Sequence, residues 1–292
     1  MAGRPAAVQL AFLLALMLLG ALLSSLLSTL LLLATGEPGD TAMGNAPLLR
    51  AFQLIASLCC FLLPALTLAA CRGDMGSYLH TRRLPAAQAF LLTFICMLLL
   101  APSINLLGAL NQRMELPEAL APVEAWMRSQ EDQAERLTTL LLSEPGIGAL
   151  LANLLVVAVA AAITEEFLFR GALQRVIGGW TSNPHIVIWT AAILFSAFHL
   201  QFYGFLPRAL LGAYFGYLLL WGRSIWLPVF AHFTNNALAV IGMSDSRLRD
   251  SALVTGDIPE EHFPEFCLAA FLTFLLFVLL NRRLRWSLRR HG

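Results

Sequence analysis

The sequence predicts an all-α protein, a polytopic membrane helix bundle of about eight transmembrane helices. Of its 292 residues, 58% are hydrophobic and only 13% charged, whereas a soluble domain carries nearer a quarter charged residues. Runs of about 20 apolar residues, the length that crosses roughly 30 Å of hydrocarbon, recur from one end of the chain to the other. Loops rich in Arg also alternate with loops rich in Asp and Glu, the pattern expected of a chain that crosses a membrane repeatedly.

In chain order the predicted spans are 8–34, 49–71, 86–110, 147–177, 185–204, 206–222, 224–243 and 264–281. The first follows a lone Arg4 and has the apolar core of a signal peptide. It is long for one and has no clear small-x-small cleavage site, so a retained helix is expected. Between the third and fourth spans, the segment 111–146 contains Trp126, Met127, Leu137, Leu140 and Leu141 among charges. That spacing fits a helix over 122–142, either lying on the outer membrane surface or solvated outside it. No internal repeat or low-complexity tract divides the chain, so one integrated membrane domain is expected.

Orientation follows from loop charge. Arg72, Arg82 and Arg83, then Arg170 and Arg175, then Arg223, then Arg282, Arg283, Arg285, Arg289 and Arg290 mark alternate segments. The intervening segments carry Glu37 and Asp40, then Glu115 through Glu144, then Asp257, Glu260 and Glu261. Basic loops stay in the cytoplasm, which puts both termini there and the 111–146 loop outside; a bacterial inner membrane is the expected location. Arg208 breaks the alternation and is expected to snorkel to the interface.

Composition excludes some functions. Net charge is +1, and every one of the 19 basic side chains is Arg, so no basic surface recruits nucleic acid. The five cysteines, Cys59, Cys60, Cys71, Cys96 and Cys267, lie within or at the ends of apolar spans without metal-ligand spacing. They are expected to be buried small hydrophobes. No Gly-x-Ser-x-Gly elbow occurs and no Asp lies within a span, which disfavours serine and aspartate hydrolysis.

The chemistry concentrates in three spans. Of 18 acidic residues, only Glu165 and Glu166 sit deep inside an apolar run, where ionisable groups are costly and mark function. Glu166 and Arg170 are spaced i,i+4 and can pair on one face, while Glu165 points about 100° away. His199 lies inside the next span, and His232 and Asn236 stand four residues apart on one face of a later one. Glu165, His199 and His232 each fall within roughly 10 Å of their span midpoints at 1.5 Å per residue, so they can meet.

A carboxylate, two imidazoles and a carboxamide in a wet cavity can perform acid-base hydrolysis. Glu165 with His199 could deprotonate a water, and His232 with Asn236 could donate hydrogen bonds to an oxyanion. Glu165, His199 and His232 could instead hold Zn²⁺ or another divalent ion, with Glu166 and Arg170 in support. Asn is a poor zinc ligand, which tilts the reading toward the metal-free version.

The ordered set Glu165-Glu166-x-x-x-Arg170, Phe195-x-x-x-His199 and His232-x-x-x-Asn236 resembles the three signature motifs of the CAAX-protease and bacteriocin-processing (CPBP) family, also called the ABI or type II CAAX prenyl endopeptidase family. The resemblance covers roughly residues 147–243. It implies an intramembrane endopeptidase with Glu165 as catalytic glutamate, His199 its partner, and His232 and Asn236 on the oxyanion side; Glu166, Arg170 and Phe195 support them. It also implies a helical bundle with a conical cavity near midplane.

On this reading 147–243 is the catalytic core, 1–146 contributes three helices and the outer loop, and 244–292 the last helix and a basic tail. The implied substrate is a membrane-embedded or lipid-anchored protein or peptide, but substrate does not transfer with motif. Two other classes stay open: a non-catalytic scaffold or bacteriocin-immunity protein, and a proton-coupled transporter, although no paired broken helices are visible.

Overall fold

The computed structural model describes residues 3–38, 44–142, 144–245, 247–249, 251 and 258–290. Asp40 and Asp257, two of the acids that support the orientation, lie outside the described residues. Among those described there are helices and turns and no strands, which bears out the all-α membrane bundle.

Helix α1 (Ala6–Thr35) ends at Gly36, whose φ of 68° supplies the left-handed cap. Helix α2 (Ala46–Ala70) begins where Asn45 accepts a hydrogen bond from the Leu48 amide, with Pro47 in the first turn; both are start signals. Helices α3 (Ala87–Gln112) and α4 (Ala121–Leu142) follow, then α5 (Ile147–Ile177). Asn183 caps α6 (Pro184–Phe198) by accepting from His185 N. Helices α7 (Phe205–Gly222), α8 (Trp226–Ser244) and α9 (Phe263–Arg290) complete the order.

Among the described residues five helices are long and apolar enough to cross a membrane: α1, α2, α3, α5 and the 260–289 stretch containing α9. Of the other three expected spans, α6 has 15 residues, about 22 Å of rise, less than the hydrocarbon thickness. Helix α7 carries Arg208, and α8 carries His232, Asn235 and Asn236, which dilute their apolar character. Helices α1 and α9 expose Leu18, Leu22 and Leu33, and Leu268, Phe271 and Leu279. Leucine and phenylalanine faces of this extent on helices long enough to span suit hydrocarbon and not water. The chain is an integral membrane protein.

One apolar core joins α1, α2, α5 and α6 through Leu13, Leu68, Leu168 and Val187. A second joins α3, α7, α8 and α9 through Cys96, Phe215, Ala231 and Leu284. The cysteine expectation holds for buried Cys59 and Cys96 but not for Cys71, which is exposed. It caps the end of α2, where the helix runs out into a polar turn.

Helix α4, whose placement sequence reading leaves open, docks on the bundle. Arg50 of α2, only 7% exposed, donates to Asn153 Oδ1 at 2.7 Å, Glu144 Oε2 at 2.7 Å and Leu141 O at 3.2 Å. The Asn153 amide donates to the same Leu141 carbonyl at 2.9 Å. At its other end, Glu131 accepts from the Tyr203 amide at 3.2 Å and Trp126 packs against Phe202.

Arg50→Ala removes the guanidinium bonds to Leu141 and Glu144 and leaves the α4 C-terminus held by the Asn153 bond alone among those named above. Hydrogen bonds to a charged donor contribute roughly 1.5–3 kcal/mol, and half-exposed Glu144 puts the loss toward the lower end. Limited proteolysis of the protein in detergent should cut within 111–146 faster than in the wild type, with the remaining helices resistant.

Candidate active site

Helix α5 is α-helical over Ala161–Glu166 and wider on both sides, with i→i+5 turns over Leu154–Ala160 and Phe167–Leu173. Such turns recur at functional sites because they release backbone groups and re-aim side chains. Here the wide turn before Glu165 offers the Val157 carbonyl, which accepts from Asn236 Nδ2 of α8 at 2.9 Å.

Glu166 and Arg170 are 0% and 1% exposed. Arg170 Nη1 donates to Glu166 Oε1 at 3.0 Å, and Nη2 to the Gly212 carbonyl of α7 at 3.0 Å. The guanidinium lies over the Phe195 ring at 4.3 Å and near that of Phe215 at 5.5 Å, a desolvated cation enclosed by π faces. Gly212 has to be small: a Cβ there would stand 3.0 Å from Arg170 Nη2 and 3.1 Å from the Phe195 ring.

The sequence assigns Glu166 to Arg170 alone, but the same Oε1 also meets His232 Nδ1 at 2.8 Å. No local spacing announces a contact between residues 66 positions apart. A carboxylate accepts, so His232 Nδ1 carries the proton and its Nε2 is turned toward Glu165, 3.9 Å from Oε2. Phe215 stacks on the ring at 5.2 Å and fixes its plane.

His199 departs from its expected place. Helix α6 stops at Phe198, His199 is the cap residue, and Leu200 turns the chain with φ of 55°. Leucine at positive φ is rare, so the sequence carries no breaker at the point where the helix ends. Freed from the helix, His199 Nδ1 donates to the Phe195 carbonyl at 2.9 Å, and its Nε2 faces the same Glu165 Oε2 at 3.9 Å.

Glu165, His199, His232 and Asn236 therefore line one cavity, of about 370 Å³, with Asn105, Asn235 and the rings of Phe195 and Phe215. Glu165 Oε2 is buried with no hydrogen-bond partner. Asn236 Oδ1 accepts from Asn235 at 3.3 Å, so after its Val157 bond the Asn236 amide keeps one N–H. Arg208 also lines the cavity, where it donates to Gln201 O at 3.3 Å and Gln201 Oε1 at 2.7 Å. An Arg inside a predicted apolar span was the signal for it.

Two imidazole nitrogens and a carboxylate oxygen are metal-ligand types, so the spacing decides. Ligand atoms around a tetrahedral zinc stand roughly 3.4 Å apart for bonds near 2.05 Å. Glu165 Oε2 is 3.9 Å from each ring nitrogen, and among the described residues no group of three His, Cys, Asp or Glu side chains is close enough to hold a metal ion. In this arrangement Glu165, His199 and His232 do not form the shell of a zinc site.

The cavity is built mainly from α5 to α8, the segment that carries the three motifs. Residues 147–238 match the family model described as Type II CAAX prenyl endopeptidase Rce1-like. The Rce1-like segment contains Glu165, Glu166, Arg170, Phe195, His199, His232 and Asn236, so the resemblance read from the motifs is borne out over that part of the chain. A curated relative, "Uncharacterized protein YpbD" of Bacillus subtilis (strain 168), is 31% identical over 81 residues, 26% of this chain and 38% of the relative. The match thus spans well under half the length of that relative. No solved structure matches.

Within the Rce1-like segment, Glu166→Ala should leave the Arg170 charge buried and unpaired. Breaking a buried pair from one side costs about 3–5 kcal/mol. Thermal unfolding in detergent should show a clear loss of stability, whereas melting equal to wild type would mean that the pair does not hold the bundle.

Proposed function

We propose that the protein is an intramembrane endopeptidase that hydrolyses a peptide bond in a membrane-embedded or lipid-anchored protein or peptide. The observation that carries this reading is the convergence on Glu165. Its buried Oε2 faces His199 Nε2 and His232 Nε2, each at 3.9 Å, and in a neutral His199 ring with Nδ1 protonated Nε2 is an acceptor. Whatever enters between Glu165 and His199 Nε2 has to bring protons, and water does.

In the proposed reaction a water donates one hydrogen bond to Glu165 and one to His199 Nε2. As its oxygen bonds to the scissile carbonyl carbon, Glu165 takes the proton. The carbonyl oxygen gains the negative charge and is met by the remaining Asn236 N–H and by His232. With Nδ1–H committed to Glu166, His232 can donate from Nε2 only as the imidazolium, and Glu166 supplies its counter-charge. Collapse of the intermediate breaks the C–N bond, and the departing amine takes its proton from Glu165.

The catalytic core on this reading is 147–243. The alternation of loop charge supports a bacterial inner membrane with both termini cytoplasmic. The zinc alternative, with Glu165, His199 and His232 as ligands, differs in one observable: it loses activity in strong chelator.

The test uses the purified protein in lipid nanodiscs with a library of hydrophobic peptides, and mass spectrometry of the products. Glu165→Gln and His199→Ala should each lower cleavage by about 10²–10⁴-fold with melting near wild type, and activity should survive chelation. Wild-type rates in either variant would sink the mechanism; loss in chelator restored by zinc would replace the metal-free version.

A further inference from the structure

Arg208 is a cation in the first turn of α7, inside the cavity that holds Glu165. A guanidinium at such a place is costly unless it has a task. Its seat is built. Gln201 accepts from both terminal nitrogens, through its backbone and its side-chain oxygen. Gly204 lies against the guanidinium so closely that a Cβ would stand 3.1 Å from Nη2 and 3.6 Å from Cζ. The turn that supplies Gln201 and Gly204 is itself held from outside by Glu131 and Trp126 of α4.

Its charge is not consumed by this seat. Gln201 is neutral and takes two of the five N–H groups of the guanidinium, and Arg208 makes no ion pair within 4.0 Å among the described residues. Glu131 and Glu165 act on it electrostatically from beyond that distance. Arg170 is the opposite case: equally cationic, but sealed behind Phe195 and paired with Glu166. Of the two arginines beside the catalytic groups, one holds the fold and the other faces the space a substrate would fill.

We propose that Arg208 binds a carboxylate of the substrate, which makes cleavage selective for peptides carrying an acidic group near the scissile bond. This rests on the endopeptidase reading above and adds the chemistry of its substrate. The cavity has about 370 Å³ of free space, so a carboxylate on Arg208 and a carbonyl beside Glu165 belong to neighbouring parts of one chain. The planar fork of Arg suits a carboxylate through two parallel N–H bonds. The acidic group can be an Asp or Glu side chain or the carboxyl terminus of the chain.

Four versions of a hydrophobic peptide library separate these sources: free or amidated at the carboxyl terminus, and with Asp and Glu present or replaced by Asn and Gln. With the protein in nanodiscs, kcat/KM should be about tenfold or more higher for the carboxylate-bearing forms. A preference lost on amidation identifies the terminus, and one lost on replacement identifies the side chain. Arg208→Gln should abolish the preference through KM while still cleaving the neutral peptides, and Gly204→Ala, which crowds the guanidinium, should weaken it. No preference in the wild type, or an equal slowing of acidic and neutral peptides by Arg208→Gln, overturns the proposal. If the wild type cleaves none of them, the endopeptidase reading has failed, and equilibrium binding of the four libraries to Glu165→Gln decides the point. Tighter binding of the carboxylate forms, lost when Arg208→Gln is added, upholds it; equal binding overturns it.

Discussion

One oxygen atom organises the centre of this protein. Glu166 Oε1 accepts from Arg170 Nη1 at 3.0 Å and from His232 Nδ1 at 2.8 Å, and Arg170 reaches on to the Gly212 carbonyl. These bonds tie α5 to α7 and α8, and Phe195 of α6 closes over the guanidinium. A buried ion pair carries a desolvation cost of several kcal/mol per ion, and its return is orientation. Once Glu166 is held, the neighbouring Glu165 is turned about 100° around the helix toward the cavity, and His232 has one proton position fixed.

Apolar surroundings then act on what is left. Phe195 and Phe215 wall the cavity and hold both imidazoles by ring contact, Phe195 edge-on to His199 at 5.0 Å and Phe215 stacked on His232. The wide turns of α5 add backbone acceptors that a regular helix would consume, and Asn236 uses the one at Val157. The groups in the cavity thus stand where they are before any substrate arrives. On the proposed reading this preorganisation is what makes a carboxylate, a neutral His199 and a His232 charged against Glu166 an effective base and oxyanion site in an apolar interior.

Much of this was legible in the sequence, for identifiable reasons. Helices of about 20 apolar residues are set by a property summed over many positions, so most of their edges emerge within a few residues; α9 instead runs on through the basic tail to Arg290, nine residues past the expected 281. The Glu166–Arg170 pair was legible because i,i+4 spacing is local. The Glu166–His232 bond was not, because nothing local encodes which helices meet. The end of α6 at Phe198 was missed because Leu200, not Gly, takes the positive φ. Arg208 was expected near the interface because an Arg near a span end usually snorkels; its place in the lining of the cavity, against Gly204 and Gln201, is set by tertiary packing.

Glu166 and the Phe195 carbonyl take the Nδ1 protons, so both rings present Nε2 to Glu165. Solid-state ¹⁵N NMR of histidine-labelled protein in lipid, with His199 and His232 assigned by single substitution, measures this directly. The account predicts Nδ1 protonated in both rings, with a neutral His199 bare at Nε2. A neutral ring at either position with its proton on Nε2 and Nδ1 bare would contradict it.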